Sequence, residues 1–159
     1  MALPSQRPDH RSVRPRASVR PGDESGVMPV AAVLPSLLVV DDDPMVRRAL
    51  VRVLRRRYVI TELESAEAAL DLLDAGYTFD VIVCDLNLNG MSGRNFLVTL
   101  DAMRDVHADR VIILSGTARD AVADERLESM GSRFVEKPAT ASQIEVVITE
   151  IVRQRANAA

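Results

Sequence analysis

From Leu37 onward, short runs rich in aliphatic residues alternate with longer stretches in which apolar residues recur every three or four positions. The short runs are LLVV (37–40), YVIT (58–61), VIVC (81–84), VIIL (111–114) and RFVE (133–136), each the length of a strand. Between them the periodicity is helical. Pro44 suits a first helical position with Asp43 as N-cap, and Val46, Ala49, Leu50, Val53 and Leu54 follow opposite Arg47, Arg48, Arg52 and Arg55. Ser65 caps a second helix bearing Ala69, Leu70, Leu72 and Leu73, which Gly76 stops. A third runs from Arg94 to about Met103, and a fourth from Ala121 to Met130, closed by Gly131. Thr140 and Gln143 form a capping box for a fifth, carrying Ile144, Val147, Ile148 and Ile151. Strands apolar on both faces, alternating with helices, predict an α/β fold with a doubly wound, five-stranded parallel sheet and helices on both faces.

Such sheets keep their ligands beyond the carboxyl ends of the strands. Asp41, Asp42 and Asp43 follow the first run, Asp85 the third, Ser115 and Gly116 the fourth, and Lys137 and Pro138 the fifth. The second run offers only Thr61 and Glu62. Taken singly, an aspartate there is as readily a helix cap, the serine a turn residue and the lysine a solvated charge. Four of five strands ending in such groups is what makes the set specific. At about 4 Å and an effective dielectric of about 20, two like charges repel by about 4 kcal/mol, so clustered carboxylates hold protons or a cation. Hard oxygen donors favour Mg²⁺. A cation, a lysine and a hydroxyl around one further carboxylate suit phosphoryl transfer to that carboxylate.

Composition narrows the alternatives. The chain of 159 residues is 47% hydrophobic and 27% charged, which suits one packed domain. Aromatics at 3%, no tryptophan and a net charge of −3 argue against stacking on bases and against a polyanion partner, so direct nucleic-acid binding is not expected. The single cysteine, Cys84, excludes an internal disulfide and a cysteine zinc cluster and fits a reducing, cytoplasmic setting. The longest apolar run, Val27–Val40, contains two prolines, falls short of the roughly 20 residues that span a bilayer, and leads into aspartates rather than a cleavage site. No membrane association is expected. Residues 1–35, with Arg7, Arg11, Arg14, Arg16 and Arg20 among prolines and serines, read as a disordered Arg/Pro-rich tail. The folded domain is expected over 36–155, with a short C-terminal tail at 156–159. His10 lies in the tail and His107 in a polar connection, so neither resembles a phosphohistidine on a helix.

VVDDDP, VIVCDLNLNGMSG, ILSGT and FVEKP, in that order and spacing, resemble the receiver domain of two-component response regulators. The resemblance implies a flavodoxin-like sheet of order 2-1-3-4-5. It implies that Asp85 accepts a phosphoryl group from a histidine of a partner, either a histidine kinase or a histidine phosphotransfer protein. It further implies that Asp42 binds Mg²⁺ directly with Asp41 assisting, alongside Asp85 and the backbone carbonyl of Asn87. Ser115 and Lys137 would contact the phosphoryl oxygens, Ser115 and Phe134 would form the switch, and Asn87 and Thr117 would tune dephosphorylation. Two positions depart from the family. Asn89 stands where proline is common, four residues after the acceptor, and Ala139 stands where a bulky apolar residue follows the Lys-Pro pair.

The expectation is a single-domain response regulator in a phosphorelay, not an enzyme, whose output is a change of partner toward an unidentified downstream protein. Two other readings remain. One is a receiver-like docking module that works without phosphorylation. The other is a haloacid-dehalogenase-like phosphatase with Asp41 as nucleophile and Asp43 as acid/base; it lacks the later acidic pair that family needs and leaves Asp85 without a role.

Overall fold

The computed structural model describes residues 33–103, 108–116, 129 and 132–159. Five strands, β1 (Ser36–Val40), β2 (Val59–Leu63), β3 (Val81–Asp85), β4 (Val111–Ser115) and β5 (Arg133–Glu136), form one sheet. All four pairings are parallel, in the order β2-β1-β3-β4-β5. Among the described residues there are four helices, α1 (Pro44–Leu54), α2 (Ala66–Asp74), α3 (Gly93–Ala102) and α4 (Ala141–Ala158), and a short 3-10 turn at Ala108–Arg110. The helix expected over 121–130 lies outside the described residues except for Ser129, and Thr117, His107 and the tail through residue 32 lie outside them as well.

Strand alternation divides the core into two layers. Leu38, Val40, Ile82, Cys84 and Ile113 face α2 and α3, packing on Ala69, Leu73, Phe96, Leu97 and Leu100. Leu37, Val39, Val81, Val83, Ile112 and Leu114 face α1 and α4, packing on Leu50, Leu54, Ile144, Ile148 and Ile151. β3 and β4 are buried along their whole length, as central strands between two helical layers must be.

The expected caps form. Asp43 Oδ1 accepts from the Met45 N–H at 2.8 Å with Pro44 opening α1, Ser65 Oγ accepts from the Ala68 N–H at 3.2 Å, and the Thr140–Gln143 capping box is complete. Gly76, at φ +90°, ends α2 in a Schellman arrangement, with Tyr77 N–H on the Leu72 carbonyl and Gly76 N–H on that of Leu73.

Several boundaries differ from the sequence reading. β2 begins at Val59 and runs to Leu63, because Tyr58 turns inward against the α1–α4 layer instead of joining the ladder. On α1, Leu50 and Leu54 are buried but Ala49 and Val53 are exposed: the edge of the sheet is covered by a narrower stripe than the periodicity suggested. Arg47 does not join the outer arginine face. It bends back to donate to the Asp41 carbonyl and lies 3.9 Å from Glu62. Residues 156–158, set apart in the sequence as a tail, continue α4. No described helix is long and apolar enough to cross a membrane.

Candidate functional site

Strand register brings the chemistry together. Val40 pairs with Cys84, so Asp41 and Asp85 leave the sheet at the same level on adjacent strands. Ser115 lies on β4 beside Glu136, and Lys137 follows directly. The Lys137 N–H donates to the Ser115 carbonyl at 2.6 Å, and the Leu86 N–H to the Leu114 carbonyl at 2.8 Å, which ties the strand ends to one another.

Asp41, Asp85 and Ser115 are the buried polar residues of the described chain, at 1%, 6% and 0% exposure. Lys137 Nζ lies 3.0 Å from Asp85 Oδ2 and 3.8 Å from Asp41 Oδ2. Asp41 Oδ1 accepts the Asp43 N–H at 2.8 Å, whereas Oδ2, within ion-pair range of the lysine but beyond hydrogen-bond reach, has no hydrogen-bond partner. Asp85 Oδ1 accepts the Asn87 N–H at 3.2 Å, and Asp42 Oδ2 accepts the Asn89 N–H at 3.2 Å. Burial is the main force raising the Asp41 carboxyl above its ordinary 3.8; Asp85 and Asp42 add to it, while the Asp43 N–H and Lys137 oppose it. The Cys84 thiol is pushed far up by burial and by the charges of Asp85 and Asp41, which leaves it a small core residue.

One oxygen from each of Asp41, Asp42 and Asp85 lies within 4.8 Å of the others. A single lysine against three carboxylates leaves the group short of positive charge, and the orphaned Asp41 Oδ2 is a buried acceptor awaiting a donor or a cation. All-oxygen donors at this spacing fit a small hard divalent ion.

The remaining predicted residues are placed as follows. The side chain of Asn87 is exposed, on the loop just beyond Asp85. Phe134 is half-buried against the α2–α3 core layer, on the strand next to Ile113. Ala139 packs on the opposite layer. Asp43 spends its carboxylate on capping α1.

Two residues that side-chain patterns do not announce also shape the site. Gly93 lies so close to the backbone of Asp85 that a Cβ there would overlap the Asp85 carbonyl and come within 2.9 Å of Leu86 Cα. Glu67, in the first turn of α2, accepts the Met91 N–H at 2.8 Å. The glycine was visible in the sequence as the end of VIVCDLNLNGMSG; nothing in the sequence pointed to Glu67.

Comparison with known proteins gives this geometry a family. The model of the response regulator receiver domain matches residues 37–149, and the chain belongs to that family. It is 34% identical over 120 residues to the heme response regulator HssR of Staphylococcus aureus, covering 74% of this chain and 51% of that protein. It is 30% identical over 123 residues to the sensor kinase CckA of Brucella abortus, covering 76% of this chain and 13% of that protein. The chain therefore spans about half or less of the length of these relatives. A receiver domain protein from Clostridium thermocellum has the same fold, with a TM-score of 0.68 at 19% identity over 79% of this chain and 100% of that one. The chain is thus a receiver of the two-component type, a class of signalling switch.

Proposed function

We propose that this receiver is a phosphorelay switch that takes a phosphoryl group onto Asp85 from a phosphohistidine of a histidine kinase or phosphotransfer protein. The observation that carries the reading is the Asp85–Lys137 contact at 3.0 Å beside a cluster of three carboxylates, Asp41 and Asp85 buried and Asp42 half-buried, at the carboxyl ends of the strands.

Asp41, Asp42 and Asp85 would hold Mg²⁺, with the Asn87 carbonyl as a further donor. The ion would supply positive charge to the oxygens of the transferring group. Asp85 acts as nucleophile: its carboxylate oxygen forms the new P–O bond as the P–N bond to the donor imidazole breaks, and the bonding pair stays on the imidazole nitrogen. Lys137, paired with the acceptor before transfer, moves its charge to the phosphoryl oxygens afterward, joined by the Ser115 hydroxyl. The Asn87 N–H steadies the other acceptor oxygen. Phe134 is the adjoining two-state element: half-buried now, it follows Ser115 when that residue turns to the new anion. Asn87, on the loop just beyond the acceptor, and Thr117, by the family resemblance, would set how readily water reaches the acyl phosphate.

The output is a change of protein partner rather than catalysis on a substrate, and the reading carries with it a cytoplasmic setting, supported by the single cysteine. The phosphatase alternative would make Asp41 the nucleophile and Asp43 the acid/base, yet the Asp43 carboxylate is spent on capping α1. Beryllofluoride, a phosphoryl mimic, tests the site. ¹⁹F NMR should show a bound species with wild type and Mg²⁺, and none with Asp85→Ala or without the metal. A wild-type spectrum identical to that of the variant would refute the reading and leave a docking module that works unphosphorylated.

A further inference from the structure

The loop from β3 to α3 holds the acceptor in place, and its backbone ties follow a pattern. Alternate N–H groups, those of Asn87, Asn89 and Met91, each donate to a carboxylate: Asp85, Asp42 and Glu67. The first two carboxylates belong to the proposed metal site. The third does not.

Position 89 matters because a proline there would supply no N–H. With Asn89 the loop gains a tie to Asp42 Oδ2 and lacks a ring to stiffen it, so its shape depends on its hydrogen bonds. Gly90 follows at φ +80°, a left-handed conformation that suits glycine, and a Cβ on it would lie 2.6 Å from Glu67 Oε1. The Glu67 carboxylate therefore rests on the Gly90 Cα while it accepts from Met91. It is anchored two residues past the Ser65 cap, on a helix packed into the core. Asp42 and Glu67 hold the loop on either side of its one left-handed residue.

We propose that Glu67 is a positioning residue for the metal site, acting through Met91 and Gly90 on the Asn89 N–H and so on the orientation of Asp42. The inference rests on the reading of Asp41, Asp42 and Asp85 as the Mg²⁺ site. With Asp42 Oδ2 held by Asn89, the other oxygen of Asp42 is left for the cation. Without Glu67, the left-handed turn at Gly90 loses its outer tie and Asp42 loses a fixed partner. Glu67 is exposed, so its replacement leaves the core untouched.

The test is calorimetric titration of Mg²⁺ into wild type, Glu67→Ala and Glu67→Gln, alongside hydrogen exchange of the Met91 amide. Loss of one charge-assisted hydrogen bond should weaken Mg²⁺ binding about three- to tenfold in Glu67→Ala. Glu67→Gln should stay within about twofold of wild type, because its amide oxygen accepts the same N–H. The Met91 amide should exchange faster in Glu67→Ala alone. Equal Mg²⁺ affinity in wild type and Glu67→Ala would overturn the proposal. So would Glu67→Gln as weak as Glu67→Ala, since the effect would then come from charge rather than from the acceptor. Failure of wild type itself to bind Mg²⁺ would sink the site reading and the metal-positioning role with it; the Met91 exchange rates would then decide separately whether the clamp exists.

Discussion

Asp41 shows what the site costs the fold. Its carboxylate is buried beside Asp85, with one oxygen lacking a hydrogen bond, and burial raises its pKa. A folded-state pKa above the unfolded 3.8 means that the folded protein holds the proton more tightly, so ionised Asp41 opposes folding. That penalty is relieved as pH falls through the raised folded-state value toward 3.8. Asp80 has the opposite sign. Burial raises its pKa, but the Ser36 N–H and hydroxyl and Arg155 together outweigh burial and lower it, so its contribution is present above 3.8 and is lost as pH falls below. Asp41→Asn should therefore raise the thermal midpoint of the metal-free protein at pH 7 while abolishing the gain that Mg²⁺ gives wild type. That gain is about 1.4 kcal/mol at ten times the dissociation constant. A scan with and without Mg²⁺ checks both, and an Asp41→Asn protein that Mg²⁺ still stabilises fully would contradict the assignment. At this scale the sequence was most readable in which polar side chains stand at the strand ends, and the fold brings Asp41, Asp85 and Lys137 together there with Ser115 on the adjoining strand. Glu67 was not readable, because its partner is a backbone N–H 24 residues away and no side-chain pattern marks a backbone donor.

Among the elements, α3 is fitted closely to the backbone of Asp85. Its first residue, Gly93, touches the Asp85 backbone, and the Gly93 N–H donates to the Leu86 carbonyl at 2.9 Å. Gly93→Ala should cost about 1–3 kcal/mol, as overpacking does, by forcing α3 away from β3. Urea denaturation should show a lower midpoint with an unchanged slope; a midpoint equal to wild type would mean that the loop yields without strain. Helix caps were legible because they depend on neighbours in sequence: Asp43, Ser65 and Thr140 each cap as their positions suggest. The faces of α1 were less so. Helical spacing put Ala49 and Val53 with the core, and the outer arginine face included Arg47, but only the Val46–Leu50–Leu54 stripe of that set packs on the core and the Asp41 carbonyl draws Arg47 inward. Those outcomes depend on which strand lies beneath the helix, a tertiary fact. β2 shifted for the same reason, since Tyr58 found a partner in Thr149 on α4, 3.2 Å away, and left the ladder to begin at Val59.

For the molecule as a whole, alternation of strand and helix was enough to give a parallel sheet with two helical layers. The order 2-1-3-4-5 came from the family resemblance rather than from hydrophobic pattern, because runs such as VIVC and VIIL are equally apolar and do not say which strand lies beside which. That order is what makes the site: it sets β3 between β1 and β4, so that Asp85 meets Asp41 on one side and the Ser115–Lys137 pair on the other. The most direct test of the account is intact-mass analysis after incubation with Mg²⁺ and acetyl phosphate, run beside Asp85→Ala and a metal-free control. The account predicts one phosphoryl adduct on wild type and none in either control. An adduct of equal yield on Asp85→Ala, or no adduct on wild type even under rapid quench, would contradict it.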